Sequence, residues 1–199
     1  DTKANAESDS AKKIVQMNNV ECAFGYRESF FNHDAGRYIV LRAAFELSSE
    51  PKANILYKDL AARFEGKNPA LSEIRAAVLE IRTGKFPDLS LEGTAGSFFK
   101  NPIIEQRQAR LLEKQYPGMP LFDMPETSGV KVPLAWFLDK VLTLKGTRVG
   151  GARLYERQPL VIVAQKNTAA SDVVMLAQKI KKEVKEKLQI DIEEEVKII

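Results

Sequence analysis

Two kinds of periodicity assign this chain to the α+β class. Apolar residues recur at every second position in residues 38–47 and again in residues 190–198, the spacing of half-buried strands. In residues 71–81 and 173–188 they recur every third or fourth position, the spacing of amphipathic helices. No internal repeat is present, which argues against a solenoid or propeller. A chain of 199 residues, 44% hydrophobic and 29% charged, has material for one large core or two smaller ones.

Taken in order, residues 1–13 are polar and small, with neither a cap nor an apolar strand ahead of them, as expected of a loose terminus or of a segment cut from a longer protein. Residues 14–24 mix apolar and polar side chains around Asn18-Asn19, a turn signal. In residues 38–47, Ile39, Leu41, Ala43, Phe45 and Leu47 fall on one side and Arg42 and Glu46 on the other, which predicts the firmest strand of the chain. Asn68 and Pro69 read as the cap and first position of a helix carrying Leu71, Ile74, Val78 and Ile81, with Gly84 as its stop.

Residues 85–96 hold a proline and two glycines, so they read as an extended connector with a domain boundary near Leu89. Short helices are predicted over 104–115 and 132–141, separated by a turn-rich stretch, residues 116–129, with three prolines and two glycines. Residues 150–155 and 160–164 read as strands joined by a polar turn. Ser171 and Asp172 open the clearest helix, whose stripe is Val173, Leu176, Ala177, Ile180, Val184 and Leu188. After it, Ile190, Ile192, Val196 and Ile198 alternate with charged residues, which predicts a structural final strand.

Composition narrows the chemistry. Thirty Lys+Arg against 27 Asp+Glu leave a net +3 spread along the chain, with no basic stripe or aromatic stacking platform, so nucleic-acid binding is not expected. No run approaches about 18 apolar residues and the start lacks a secretory pattern, which predicts a cytoplasmic location without membrane insertion. One cysteine, Cys22, and one histidine, His33, cannot build a disulfide or a Cys/His metal centre, so no metal is expected. A Ser-His-Asp mechanism would need His33 as its base, and nothing in its surroundings supports that.

Three clusters carry candidate chemistry. In CAFGYRESFF, residues 22–31, Gly25 sits at a bend and Arg27 follows it; the side chain can hold a carboxylate through two parallel hydrogen bonds, or be a surface arginine after an aromatic core segment. In GTAGSFFKNP, residues 93–102, two glycines precede Ser97, Lys100 and Asn101, a polar pocket or simply a tight turn feeding a strand; the spacing matches neither nucleotide-loop signature. In EEEV, residues 193–196, Glu193 and Glu195 share one side, as either site carboxylates or a solvated charge run.

In order along the chain, CAFGYRESFF, ILYKDL, IRTGKFPD, GSFFKNP, GGARL and the terminal EEEV resemble the UDP-N-acetylenolpyruvoylglucosamine reductases, flavoenzymes of peptidoglycan precursor synthesis. The resemblance extends over residues 14–199. It implies residues 1–88 as part of a second FAD-binding (PCMH-like) domain, 89–189 as an α+β substrate-binding domain, and 190–199 as a strand returning to the FAD-binding body. The first FAD-binding domain, with its glycine-rich diphosphate segment, is then expected to lie outside this sequence. Residues 131–139, with Pro133 and Leu134, and Asn32-His33 depart from the family's pattern.

The reaction implied is NADPH-dependent: reduced FAD delivers hydride to the methylene carbon of UDP-N-acetylglucosamine enolpyruvate and leaves an enol-like intermediate, which becomes UDP-N-acetylmuramate. By the same resemblance Arg27 polarises the substrate carboxylate, Glu195 stabilises the enol and Ser97 donates the proton. Tyr57, Lys85, Asn101 and the neighbouring Lys100 approach the diphosphate, and no cofactor-binding residue can be assigned. The alternative function is a noncatalytic sugar-nucleotide-binding module or a structural remnant, and the isolated chain is expected to be incomplete for activity without an N-terminal FAD-binding portion.

Overall fold

A computed structural model describes residues 14–33, 36–50, 52–124 and 127–198, so the polar start of the chain lies outside the described residues. The chain divides into two units, Asp1–Leu47 and Ser48–Ile199.

In the first unit the Asn18-Asn19 turn forms as the sequence signals. Asn18 N donates to Glu21 Oε2 (2.7 Å), Glu21 N donates back to Asn18 Oδ1 (3.0 Å), and Cys22, which is buried, closes the turn on Asn18 O. Gly25 N then donates to Glu28 O at 2.9 Å, a tight reversal with Tyr26 and Arg27 at its tip. Helix α1, Phe30–His33, follows, and the Phe30 ring meets Phe31 and Tyr38 with centroids 5.7 and 5.8 Å away.

The strand expected over residues 38–47 does not form. The segment has no ladder partner among the described residues, and the apolar side of its alternation is solvent-facing, Ile39 at 86% and Phe45 at 81% exposure. Alternation specifies which side chains share a face, but a strand also needs a neighbour for its N–H and C=O groups.

The second unit opens with α2, Lys58–Arg63, and α3, Leu71–Lys85, which close a small core of Leu60, Phe64 and Ala77 with Ile55, Ile74 and Ile81. Helix α3 starts two residues later than Asn68-Pro69 suggested: Ala70 is the cap, and its N–H is held by the Glu73 carboxylate at 2.8 Å, so the acidic side chain of the first turn satisfies the cap's own donor while the Glu73 N–H bonds Ala70 O at 3.0 Å. It also runs past Gly84 and ends at Lys85, because the following Pro87 forces extended backbone on the cap residue Phe86 (φ −119°, ψ 153°).

Beyond it lie two antiparallel sheets. The first has the order β1-β7-β6-β5, from β1 (Glu92–Ser97), β5 (Arg148–Val149), β6 (Ala152–Leu154) and β7 (Val161–Gln165). The second has the order β2-β4-β3, from β2 (Ile103–Ile104), β3 (Phe122–Met124) and β4 (Gly129–Lys131). The last five residues of the expected connector, 92–96, are therefore strand: β1 pairs with the apolar β7 in spite of its own Gly-rich sequence, because β7 offers a row of backbone partners.

Helix α4, Gln106–Gln115, is shorter than expected, since Ile103 and Ile104 are taken into β2. Residues 132–141 yield only α5, Leu134–Trp136, which widens into a π-helical turn over Phe137–Val141. Helix α6, Ala170–Leu188, begins one residue before Ser171 and packs against β5 and β6. Its buried residues are the predicted Leu176, Ala177, Ile180, Val184 and Leu188, and they join Phe99, Leu134, Phe137, Leu138 and Leu154 in the main core. The Asp172 carboxylate accepts from Gly151 N at 3.0 Å instead of capping its own helix, and a Cβ on Gly150 would overlap that carboxylate.

The mixed α+β class is therefore the observed one, and residues 190–198 are softened: instead of a full strand they make a single antiparallel bridge, Glu194 to Phe99, with Ile190 and Ile192 buried as the alternation requires and Ile198 exposed.

Candidate functional site

The site residues of the second unit fall into two groups. The first is assembled by that terminal bridge. Lys100 N donates to Glu193 O at 2.9 Å and Glu195 N donates to Phe98 O at 2.8 Å, so the EEEV segment is laced to the backbone directly after Ser97. Residues nearly a hundred positions apart in sequence are thereby made neighbours.

Ser97 ends β1, opposite Val161 of β7, and is half-buried. An irregularity in the ladder between Thr94 and Ser97 accompanies Gly96 at φ +84°, a conformation that glycine adopts without a Cβ clash. An extra residue is thus accommodated just before the serine, and the following Phe98 and Phe99 are both buried, with rings 5.2 Å apart. These rings anchor the strand end that carries Ser97 and Lys100.

Lys100 is largely covered and its ammonium lies 3.3 Å from Glu193 Oε2. Asn101 Oδ1 accepts from Leu134 N at 3.0 Å and so fixes the start of α5, which directs the NH2 end of the same amide elsewhere as a donor. Glu195 is exposed, whereas Glu194 is half-buried and receives Lys181 Nζ on both oxygens at 3.0 Å. Burial pushes the Glu194 carboxyl up in pKa, but the Lys181 hydrogen bonds, the residue's own backbone N–H and the Lys181 charge together outweigh it and leave the group below its ordinary value. Glu193 and Glu194 therefore have separate partners, Lys100 and Lys181, a distinction that agrees with their opposite sides in period-two reasoning.

The second group sits on α2 and α3. Lys85 Nζ donates to Tyr57 Oη at 2.5 Å and to Asp59 Oδ2 at 2.6 Å, and lies 4.8 Å from the Tyr57 ring centroid. Burial draws the Lys85 pKa down, yet the hydrogen bonds to Asp59 and Tyr57 more than offset it, so the ammonium is held above its ordinary value. Sequence reasoning picked out Tyr57 and Lys85 but missed Asp59. The available signal was its place in ILYKDL, two residues after Tyr57 in the first turn of a helix.

Arg27, in the first unit, is exposed at the tip of the Gly25–Glu28 reversal with φ +57°, its guanidinium 5.9 Å from the Tyr26 ring centroid. An apolar depression of about 240 Å³ lies beside β1, lined by Gly93, Thr94, Ala95, Phe98, Ile162 and Val173 among others; none of the charged site residues faces it. Among the described residues no helix is long and apolar enough to cross a membrane.

The second unit is thus an α+β domain in which a hydroxyl, an amide, ammonium groups and carboxylates stand along one strand end and one helix pair. The chain belongs to a particular family of this kind: the family model of the UDP-N-acetylenolpyruvoylglucosamine reductase C-terminal domain matches residues 88–199. The chain is 38% identical over 187 residues to UDP-N-acetylenolpyruvoylglucosamine reductase of Neisseria meningitidis serogroup A, an alignment covering 92% of this chain and 54% of that one. It is 35% identical over 188 residues to the enzyme of the same name from Escherichia coli K12, covering 94% of this chain and 54% of that one. It thus spans about half the length of these relatives. Among solved structures, UDP-N-acetylenolpyruvylglucosamine reductase from Thermus caldophilus is 24% identical, with a TM-score of 0.38 over 66% of this chain and 36% of that one.

Proposed function

We propose that this chain carries the substrate side of an NADPH- and FAD-dependent reductase that converts UDP-N-acetylglucosamine enolpyruvate to UDP-N-acetylmuramate for peptidoglycan precursor synthesis in the cytoplasm. The observation that carries the reading is the bridge between the residues after Ser97 and the EEEV segment, which unites two separately predicted clusters within the family-matched region. Residues 1–88 then belong to a partial second FAD-binding domain, 89–189 to the substrate domain and 190–199 to the returning segment.

Hydride addition at the methylene carbon of the enolpyruvyl group pushes an electron pair toward the neighbouring carbon and its carboxylate. Ser97 Oγ–H then gives its proton to that carbon; the hydroxyl is a weak acid, and the basicity comes from the enol-like intermediate. Glu195 stabilises the enol through a hydrogen-bond network, and Arg27, assigned by its family motif alone, holds the carboxylate. Tyr57 and Lys85 offer a phenol and an ammonium to the diphosphate, and Asn101 an amide NH2 whose partner oxygen is already fixed by Leu134 N. Lys100 adds positive charge at the same strand end.

The flavin supplies the hydride in such a reaction. The apolar depression beside β1 has no cationic lining to receive a flavin diphosphate, so that depression does not fit this part of the cofactor. We assign the binding of the flavin's diphosphate, and the coupling to NADPH, to the part of the relatives' length that this chain does not cover. A noncatalytic sugar-nucleotide-binding module is the second reading, in which the same substrate-side groups bind the sugar nucleotide without turnover.

Titration calorimetry with UDP-N-acetylglucosamine enolpyruvate and with UDP-N-acetylmuramate, run beside assays for flavin absorbance and NADPH oxidation, tests the proposal. Saturable binding without turnover is expected of the chain alone. A folded chain that binds neither sugar nucleotide overturns the substrate assignment, and sustained NADPH oxidation by the chain alone overturns the placement of the cofactor chemistry.

A further inference from the structure

We infer that Asp59 is the positioning residue for Lys85, holding its ammonium beside the Tyr57 phenol so that both donors meet the same anionic group of the ligand; this rests on the sugar-nucleotide reading above. A lysine ammonium at the end of four methylenes has high rotamer freedom and, unanchored, is a poorly aimed point charge. Here Nζ is pinned twice, on Asp59 Oδ2 at 2.6 Å and on Tyr57 Oη at 2.5 Å. Two of its three N–H bonds are thereby committed, and the third is directed by the other two.

The anchor is itself well fixed. Asp59 lies in the first turn of α2, where a carboxylate is favoured by the helix dipole, and Lys85 lies in the last turn of α3, where a cation is favoured. The contact joins the start of one helix to the end of another 26 residues later, and the small core of Leu60, Phe64 and Ala77 holds the two helices together. The raised pKa of Lys85 agrees with an ammonium kept charged by this carboxylate. Pre-ordering the cation removes a conformational cost that an anionic ligand would otherwise meet on binding.

The same helix pair supplies a control, because Arg63 and Glu80 make an exposed ion pair at 2.6 Å that has no part in the site. The experiment compares the unsubstituted chain with Asp59→Ala, Asp59→Glu and Arg63→Gln. The readouts are the side-chain ammonium spectrum by nitrogen-15 NMR, UDP-N-acetylglucosamine enolpyruvate affinity by calorimetry, and circular dichroism as the check on folding.

Asp59→Ala is expected to abolish the ordered Lys85 ammonium resonance and weaken the ligand roughly tenfold, as loss of a charge-assisted anchor implies. Asp59→Glu should recover part of both signals, and Arg63→Gln should change neither. An unaltered Lys85 resonance in Asp59→Ala, or affinity that is unchanged or higher in that variant, overturns the inference while leaving the sugar-nucleotide reading intact. Absence of binding by the unsubstituted chain overturns that reading, and this inference with it.

Discussion

Arg153 ties two strands that are not neighbours. Its guanidinium reaches across β7 from β6 to β1, where Nη1 and Nη2 take the two oxygens of Glu92, the second at 2.9 Å, and Nε lies 3.3 Å from Glu156 Oε1. The Arg153 side chain is only 11% exposed and Glu92 22%, so the pair is shielded more than an ordinary surface bridge. The Arg153 hydrogen bonds hold the Glu92 carboxyl below its ordinary pKa against a smaller upward push from burial. A carboxyl whose folded pKa is depressed stabilises the fold above its unfolded pKa and loses that contribution as pH falls through the folded value. Glu92→Gln should therefore cost on the order of 1 kcal/mol at pH 7, with the gap to the unsubstituted chain closing once acid takes the pH below the ordinary glutamate value of about 4.3. Urea unfolding at neutral and acid pH checks this, and a gap independent of pH would contradict it. Neither this pair nor Asp59 with Lys85 was visible in the sequence, because both partners are ordinary charged residues 61 and 26 positions apart and only the fold brings them together.

At the scale of elements, the sequence was legible where a single face had to be apolar. The α6 stripe is buried from Leu176 to Leu188, with Val173 partly buried at its start, and Ile190 and Ile192 keep the predicted alternation even without a full ladder. It was not legible where pairing with a distant strand overrode local composition: β1 looks like a connector because glycine and threonine are poor evidence of a strand until β7 lies beside them. The widening of α5 into a π-helical turn over Phe137–Val141 has no local signature either, since Phe137 and Leu138 are equally at home in any buried helix. The junction between α6 and the terminal segment carries its own prediction. Gln189 caps α6 at φ +56°, a left-handed conformation that costs an ordinary residue free energy and glycine almost none. Its backbone contacts, N–H to Lys185 O and C=O from Gln108 Nε2, do not need the side chain. Only the exposed Nε2 bond to Glu186 O would be lost. Gln189→Gly should therefore stabilise the chain by roughly 0.5–1 kcal/mol and raise the thermal midpoint. A lower midpoint in calorimetry would show that the side chain holds the reversal.

For the molecule as a whole, apolar burial is unevenly shared. The main core of the second unit joins both sheets, α4, α5 and α6, whereas in the first unit Cys22 is the one fully buried apolar side chain among the described residues. The candidate residues, each within its own unit, differ in the same way: Ser97, Lys100, Asn101 and Glu195 stand on backbone that is laced to the large core through Phe98, Phe99 and Ile192, while Arg27 stands on a short reversal. That the first four come together was half legible, since each motif could be read but their union depends on one bridge. Local opening free energy rises with buried apolar contact and with backbone bonds shielded from water. Amides of α6 and β7 should therefore exchange with deuterium near the limit set by global unfolding, and those of residues 98–100 and 193–195 at an intermediate rate. Residues 38–47, with exposed side chains and no ladder partner among the described residues, should exchange close to the unprotected rate. Mass spectrometry of peptides from the intact chain measures all three classes at once. Protection of 38–47 comparable to β7 would show that its alternating Ile39, Leu41, Phe45 and Leu47 are paired and covered in solution, because an extended segment slows exchange only when another strand takes its hydrogen bonds.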